Sequence, residues 1–142
     1  MRRIWTIGYE GHDPESFTHV LRKAKVERVV DIRELPLSRK RGFSKAAMAA
    51  GLAAAGIGYS HLRALGTPRP LRHAYKAGGS FEAFRDGYLG HLEGVESAIG
   101  QLERMAQEER VAILCVEHDA AVCHRGVLAG VLKTRGWSVT DL

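Results

Sequence analysis

Glu117-His118-Asp119-Ala120-Ala121-Val122-Cys123-His124-Arg125 gathers two carboxylates, two histidines, a thiol and a guanidinium into nine residues. The apolar positions that follow, Val127, Leu128, Val131 and Leu132, have helical spacing. At about 100° per residue, His124 falls near the middle of that stripe, so it is expected to face a sheet edge rather than water. Cys123, His124 and Arg125 then occupy the first turn, where unpaired N–H groups and a partial positive charge favour an anion. The Arg125 fork adds planar donors suited to phosphate or carboxylate. A plainer alternative is a helix cap followed by a satisfied core histidine.

The thiol has three readings. Beside His124 and Arg125 at a helix N-terminus, Cys123 is placed as thiolate nucleophiles are. The cysteine-dependent phosphatase pattern is absent, however: six positions beyond Cys115 stands Ala121, and six beyond Cys123 stands Ala129. A small buried residue is the preferred reading. A metal site would gather Cys115, Cys123 and His124, with His118 or His61, but that spacing matches none of the strong zinc patterns. No metal and no cofactor are therefore expected. With only two cysteines in the chain, a structural disulfide is not expected either.

Asp31-Ile32-Arg33 ends an apolar strand with an acid and a base on one face, by the strand period of two. The choice is between a surface ion pair and a carboxylate beside an anion-binding arginine. The latter is favoured, because an Asp closing an apolar run needs a partner. Ser38-Arg39-Lys40-Arg41-Gly42-Phe43 mixes cations with an aromatic, as a loop gripping a nucleic-acid backbone would. In the bland reading it is a solvated loop, with Phe43 and Met48 stapling the next helix. Gly8-Tyr9-Glu10-Gly11 lacks the glycine spacing of a dinucleotide fingerprint.

These residues need elements to position them. Ile4–Ile7, Arg28–Arg33, Ile57–Leu62, Val111–Val116 and Trp137–Leu142 read as strands, the fourth apolar on both faces and so central. Helices alternate with them. Asp13 caps one that has Pro14 at its first position, and Ser44 starts an alanine-rich one ending at Gly56. The stretch 63–79, with Gly66, Pro68, Pro70, Gly78 and Gly79, reads as a long irregular loop. Ser80 caps a short helix through Phe81, Phe84 and Tyr88. A longer one carries Leu92, Val95, Ile99 and Leu102 through Gly94 and Gly100. The pattern is a single α/β domain over residues 1–142, with a mainly parallel central sheet of about five strands flanked by helices.

Composition narrows the class. An apolar share of 45% and a charged share of 26% fit a globular chain, and no apolar run nears the roughly 20 residues that cross a bilayer. The apolar stretch after Arg2-Arg3 is too short for a signal peptide, so a cytoplasmic location is expected. A net charge of +5 attracts anions, nucleotides and nucleic acids among them.

With these residues laid out, the chain resembles the prokaryotic family catalogued as domain of unknown function 488. The resemblance is carried by Thr6-Ile7-Gly8-Tyr9-Glu10-Gly11, Val30-Asp31-Ile32-Arg33-Glu34-Leu35-Pro36, Ser38-Arg39 with Gly42-Phe43-Ser44, Gly58-Tyr59-Ser60-His61-Leu62 with Leu65-Gly66, and Leu114-Cys115-Val116-Glu117 through Cys123-His124-Arg125. It implies a small α/β fold with a polar signature at the strand ends, and no reaction.

In open parallel sheets, ligands bind beyond the carboxyl ends of the strands. The expectation is thus an anion pocket there, for a nucleotide or nucleic-acid component. Arg33, Arg125, Tyr9 and Arg39 would bind the ligand, and His124 or His61 would act as acid or base. Glu117 or Asp31 would orient the histidine or activate water, in a hydrolytic or transfer reaction. The rival is a non-catalytic nucleic-acid-binding or accessory module using Arg39–Arg41, Arg69 and Arg72. A Cys/His structural metal site stands third. Sequence leaves the oligomeric state open.

Overall fold

Arg3–Gly8 forms the first strand (β1), and its alternation divides the molecule: Ile4 and Thr6 face one side of a sheet, Trp5 and Ile7 the other. The computed structural model describes residues 2–142. The elements after β1 run α1 (Pro14–Lys23), β2 (Arg28–Asp31), α2 (Lys45–Ala54), β3 (Gly58–His61), α3 (Arg69–Lys76), α4 (Phe81–Glu93), α5 (Glu96–Glu108), β4 (Val111–Cys115), α6 (His124–Thr134) and β5 (Ser138–Asp141). All five strands are parallel, in the order β3-β2-β4-β1-β5. The α/β class and the mainly parallel sheet match the sequence expectation. So does the central place of the doubly apolar strand, now β4.

The sheet lies between two helical layers. On one face Phe17 and Leu21 of α1 and Met48 and Leu52 of α2 pack on Trp5, Ile7, Val29 and Leu114. On the other, Leu92 of α4, Ile99 and Leu102 of α5, and Leu128 and Leu132 of α6 pack on Ile4, Val30, Ile113 and Cys115. Burying each large apolar side chain contributes about 1.5–3 kcal/mol, so both layers are needed to hold the central strands dry. Local chemistry agrees at α1. The Asp13 carboxylate accepts from the Ser16 N–H at 2.7 Å, Ser16 reaches back to the Asp13 N–H at 3.1 Å, and Pro14 sits in the first turn.

Three local expectations are corrected. The stretch 63–79 is not irregular throughout: a 3₁₀ turn at Arg63–Leu65 leads to α3, with Pro70 in its first turn. There a missing N–H costs nothing, so Pro68 and Pro70 start a helix rather than mark a loop. The helix begun at Ser80 is not short, and it keeps Leu92. The chain breaks at Gly94–Val95, where Val95 is non-helical (φ −127°, ψ 35°), and α4 and α5 each have 13 residues. Ser44 begins α2 without capping it, because its hydroxyl instead accepts from the Ser38 N–H at 2.9 Å and donates to the Ser38 carbonyl at 3.1 Å. That exchange folds the basic loop back on the helix start. No helix among the described residues is long and apolar enough to cross a membrane.

Candidate functional site

β2 and β4 are neighbours, yet the chain leaves them in opposite directions: from β2 to β3 on one side, from β4 across β1 to β5 on the other. Diverging connections open a crevice at the strand ends, where α/β proteins hold ligands. Here the crevice measures about 310 Å³. Arg33 and Glu34 enter it from the end of β2, and Glu117, Cys123 and His124 from the end of β4. Thr67, Arg72, Tyr75 and Lys76, at and before α3, close it from the side. A larger groove of about 570 Å³ between α4 and α6 is walled chiefly by alanine, glycine and aliphatic side chains and contains none of the expected site residues.

The floor is an ion pair. Arg33 Nη2 donates to Asp31 Oδ2 at 2.7 Å and Nε donates to Oδ1 at 2.9 Å, with both residues almost wholly buried. Arg33 Nη1 donates to the Phe43 carbonyl at 2.6 Å, and the Tyr59 hydroxyl donates to Asp31 Oδ2 at 2.5 Å. Burial alone would lower the Arg33 pKa, but the hydrogen bonds and charge of Asp31 outweigh it and the net shift is upward. Tyr59 is pushed up, by burial first and then by Asp31. Asp31 is thus hydrogen-bonded to Arg33 and Tyr59, and among the described residues no histidine bonds to it. His61 bonds through Nε2 to the Arg33 carbonyl at 2.6 Å, bracing the floor from β3.

Above the floor stand the two sulfurs and His124. Cys115 ends β4, Cys123 precedes α6, and His124 opens that helix. The sulfurs are drawn into bonding contact, contrary to the expectation of two separate thiols, across a Cα separation of 7.7 Å. His124 Nε2 lies 2.9 Å from the Ile32 carbonyl, an acceptor only, so Nε2 carries the proton and Nδ1 presents its lone pair 3.7 Å from Cys123 Sγ. Burial, set against that hydrogen bond, pushes the His124 pKa down to about 4. The ring is therefore neutral at physiological pH. Glu117 Oε2 is 3.7 Å from Cys115 Sγ.

Loop 117–123 is held by close approaches. A Cβ at Gly8 would collide with the Glu117 carbonyl oxygen, and one at Gly126 with the Ala120 carbonyl oxygen. Both positions need glycine for that reason. Arg125 completes the clamp: Nη1 donates to Thr6 Oγ1 at 2.7 Å, and Nη2 donates to the Glu117 and His118 carbonyls at 2.9 and 2.8 Å.

The expected residues thus divide. Arg33, Glu117 and His124 meet at the crevice, with Asp31 and His61 beneath. Arg125, in the first turn of α6, is fully buried with its terminal nitrogens taken, so it shapes the loop rather than offering a fork to an anion. Tyr9 is buried, its ring 4.7 Å from that of Phe43, and neither can stack on a base from solvent. Arg39 is exposed on the loop before α2, outside the crevice. Sequence reading assigned Arg72 only to the nucleic-acid alternative and did not single out Tyr75 or Lys76. The signal was the helix start hidden in Pro68-Arg69-Pro70.

A family model described as domain of unknown function DUF488 matches residues 13–132. No curated protein matches the chain, and no solved structure does.

Proposed function

The chain belongs to the DUF488 family, and we propose that its crevice binds a small anionic ligand, a nucleotide or nucleic-acid component. The carrying observation is that one crevice sets a cationic wall against an apolar one. Arg72 and Lys76 stand on α3; Arg72 Nη1 is shared between Glu34 and the Thr67 carbonyl, each at 3.1 Å, whereas Lys76 has no charged partner among the described residues and is the cation open to a ligand. Leu35 and Leu37, 55% and 66% exposed, stand with Tyr75 along the same opening. Exposed aliphatics beside an aromatic suit the face of a planar base, while the cations suit phosphate. With His124 Nε2 and His61 Nε2 both spent on backbone carbonyls, this reading gives the acid or base role to Glu117, on the β4 side. A hydrolytic or transfer reaction fits a carboxylate opposite anion-holding cations. Arg33, paired with Asp31, contributes positive potential from the floor rather than a free fork.

Titration of the intact protein with a nucleoside monophosphate, followed by amide shifts and calorimetry, tests this reading. Shifts should concentrate in α3 and residues 33–37 and 117–124. Lys76→Ala should weaken binding about tenfold, the equivalent of one lost charge-assisted hydrogen bond. Binding unchanged in Lys76→Ala but lost in Arg39→Ala, with a steep fall in salt, would instead assign the anion to the exposed Arg39–Arg41 loop. That outcome sinks the crevice reading and favours the nucleic-acid-binding module.

A further inference from the structure

Cys115, Cys123 and His124 come from the end of one strand and the start of one helix, and their ligand atoms all lie within 4.8 Å of one another, buried at the base of the crevice. We infer that they form a divalent-metal site of the zinc type, with two thiolates and His124 Nδ1 as ligands and a fourth position open to the crevice. This goes beyond anion binding and stands without it.

Four observations converge. First, the histidine has the wiring of a metal ligand: Nε2–H is spent on the Ile32 carbonyl at 2.9 Å, so Nδ1 is the free lone pair, and it faces Cys123 Sγ at 3.7 Å. Metal-bound histidines donate their other N–H to a carbonyl or carboxylate in this way, which fixes tautomer and ring plane. Second, 3.7 Å is the spacing expected of a sulfur and a nitrogen sharing one tetrahedral ion, given zinc–sulfur and zinc–nitrogen bonds of about 2.3 and 2.0 Å. Third, Cys123 lies at the N-terminus of α6, whose unpaired N–H groups favour a thiolate. Fourth, the Cys115 and Cys123 Cα atoms are 7.7 Å apart, beyond the roughly 4.4–6.8 Å that a relaxed disulfide spans. Side-chain rotation can part the sulfurs around an ion with the backbone in place. A relaxed disulfide would require the backbones to move together.

Sulfur and nitrogen donors select zinc over magnesium or calcium, which take oxygen. Two thiolates cancel the charge of a divalent ion, so the buried site stays neutral overall. Three protein ligands leave one tetrahedral position, as in catalytic rather than structural zinc sites. Glu117 Oε2 lies 3.7 Å from Cys115 Sγ but outside the set whose ligand atoms are all within 4.8 Å of one another, so it stands beside the open position as partner to a bound water rather than as fourth ligand. The chain order of these ligands matches no familiar spacing because the site is assembled across a strand-to-helix turn.

The test uses the full chain, purified under reductant with any affinity tag removed, and needs no anionic ligand. Elemental analysis should find about one zinc per chain, and chelation should release it and expose two titratable thiols. Cobalt loading should give thiolate-to-cobalt charge-transfer absorption with tetrahedral d–d bands. Cys123→Ser and His124→Ala should each weaken zinc at least tenfold, whereas Glu117→Gln should keep the stoichiometry. Should a substituted chain not fold, the cobalt spectrum of the unaltered protein still decides. Folded, reduced protein that takes up neither zinc nor cobalt would overturn the site, as would an intact Cys115–Cys123 disulfide persisting under reductant. Loss of metal in Glu117→Gln would overturn the open fourth position. Failure here leaves nucleotide binding to α3 unaffected, and failure of nucleotide binding leaves the metal stoichiometry unaffected.

Discussion

Arg33 shows how much a single buried charge depends on its company. It is 4% exposed, and Asp31 is fully buried. Neither ion could stay there alone, since removing one partner of a buried pair leaves an uncompensated charge at a cost of about 3–5 kcal/mol. Asp31→Ala should therefore lower unfolding free energy by roughly that much in urea titration, with the Tyr59 hydroxyl also losing its acceptor. The double variant Asp31→Leu/Arg33→Met should recover much of the loss, because a packed apolar pair of similar volume is often neutral. A double variant no more stable than Asp31→Ala would show that the pair is more than mutual compensation. The Asp-x-Arg spacing was legible in the sequence. Its closure on itself was not, because period two places side chains on a face without saying which neighbours cover it.

At the scale of elements, the instructive case is where α5, α6 and β5 meet. Glu103 accepts from Arg135 Nη2 at 2.6 Å and from Trp137 Nε1 at 2.9 Å, tying α5 to the chain between α6 and β5. Those hydrogen bonds, Arg135 first, hold the Glu103 pKa below its ordinary 4.5. A carboxylate depressed in the folded state stabilises above the unfolded value, and that share is lost as pH falls through the folded value. Glu103→Gln should cost about 1–2 kcal/mol at neutral pH. The gap between variant and parent should close as pH drops below 4.5, read from urea midpoints along the pH series. A gap constant with pH would mean that packing, not charge, holds this junction. Element boundaries were the least legible part of the chain. Pro68 and Pro70 read as loop residues until their place at a helix start was visible, and Leu92 fitted the stripe of either flanking helix until Val95 broke the path.

For the whole molecule, each helical layer has its own apolar cluster, but both clusters take their floor from the same five strands, so neither can persist without the sheet. Trp5 lies in the cluster under α1 and α2, and Trp137 in the cluster under α4, α5 and α6. The chain has only these two tryptophans, so Trp5→Phe and Trp137→Phe each leave a reporter of one face. Fluorescence from both should give urea midpoints that coincide with far-ultraviolet circular dichroism of the same variant, as expected of one cooperative unit. Separate midpoints within one variant would mean that a layer unfolds by itself.

Sequence by itself determined the class of fold, since apolar period two alternating with period 3.6 leaves few arrangements other than a parallel sheet between helices. It also determined that polar chemistry collects at the strand ends, because Asp31, Arg33, His61, Cys115 and Glu117 close their strands or directly follow them. Tertiary structure alone decided which of those groups face one another. Arg125 and Arg33 are both guanidiniums near strand ends, but the layer over each is set by strand order, which no local pattern encodes. The approach of Cys115, Cys123 and His124 differs in origin: β4 and α6 are consecutive, so the grouping was legible in the sequence, and the structure added how close the three ligand atoms come.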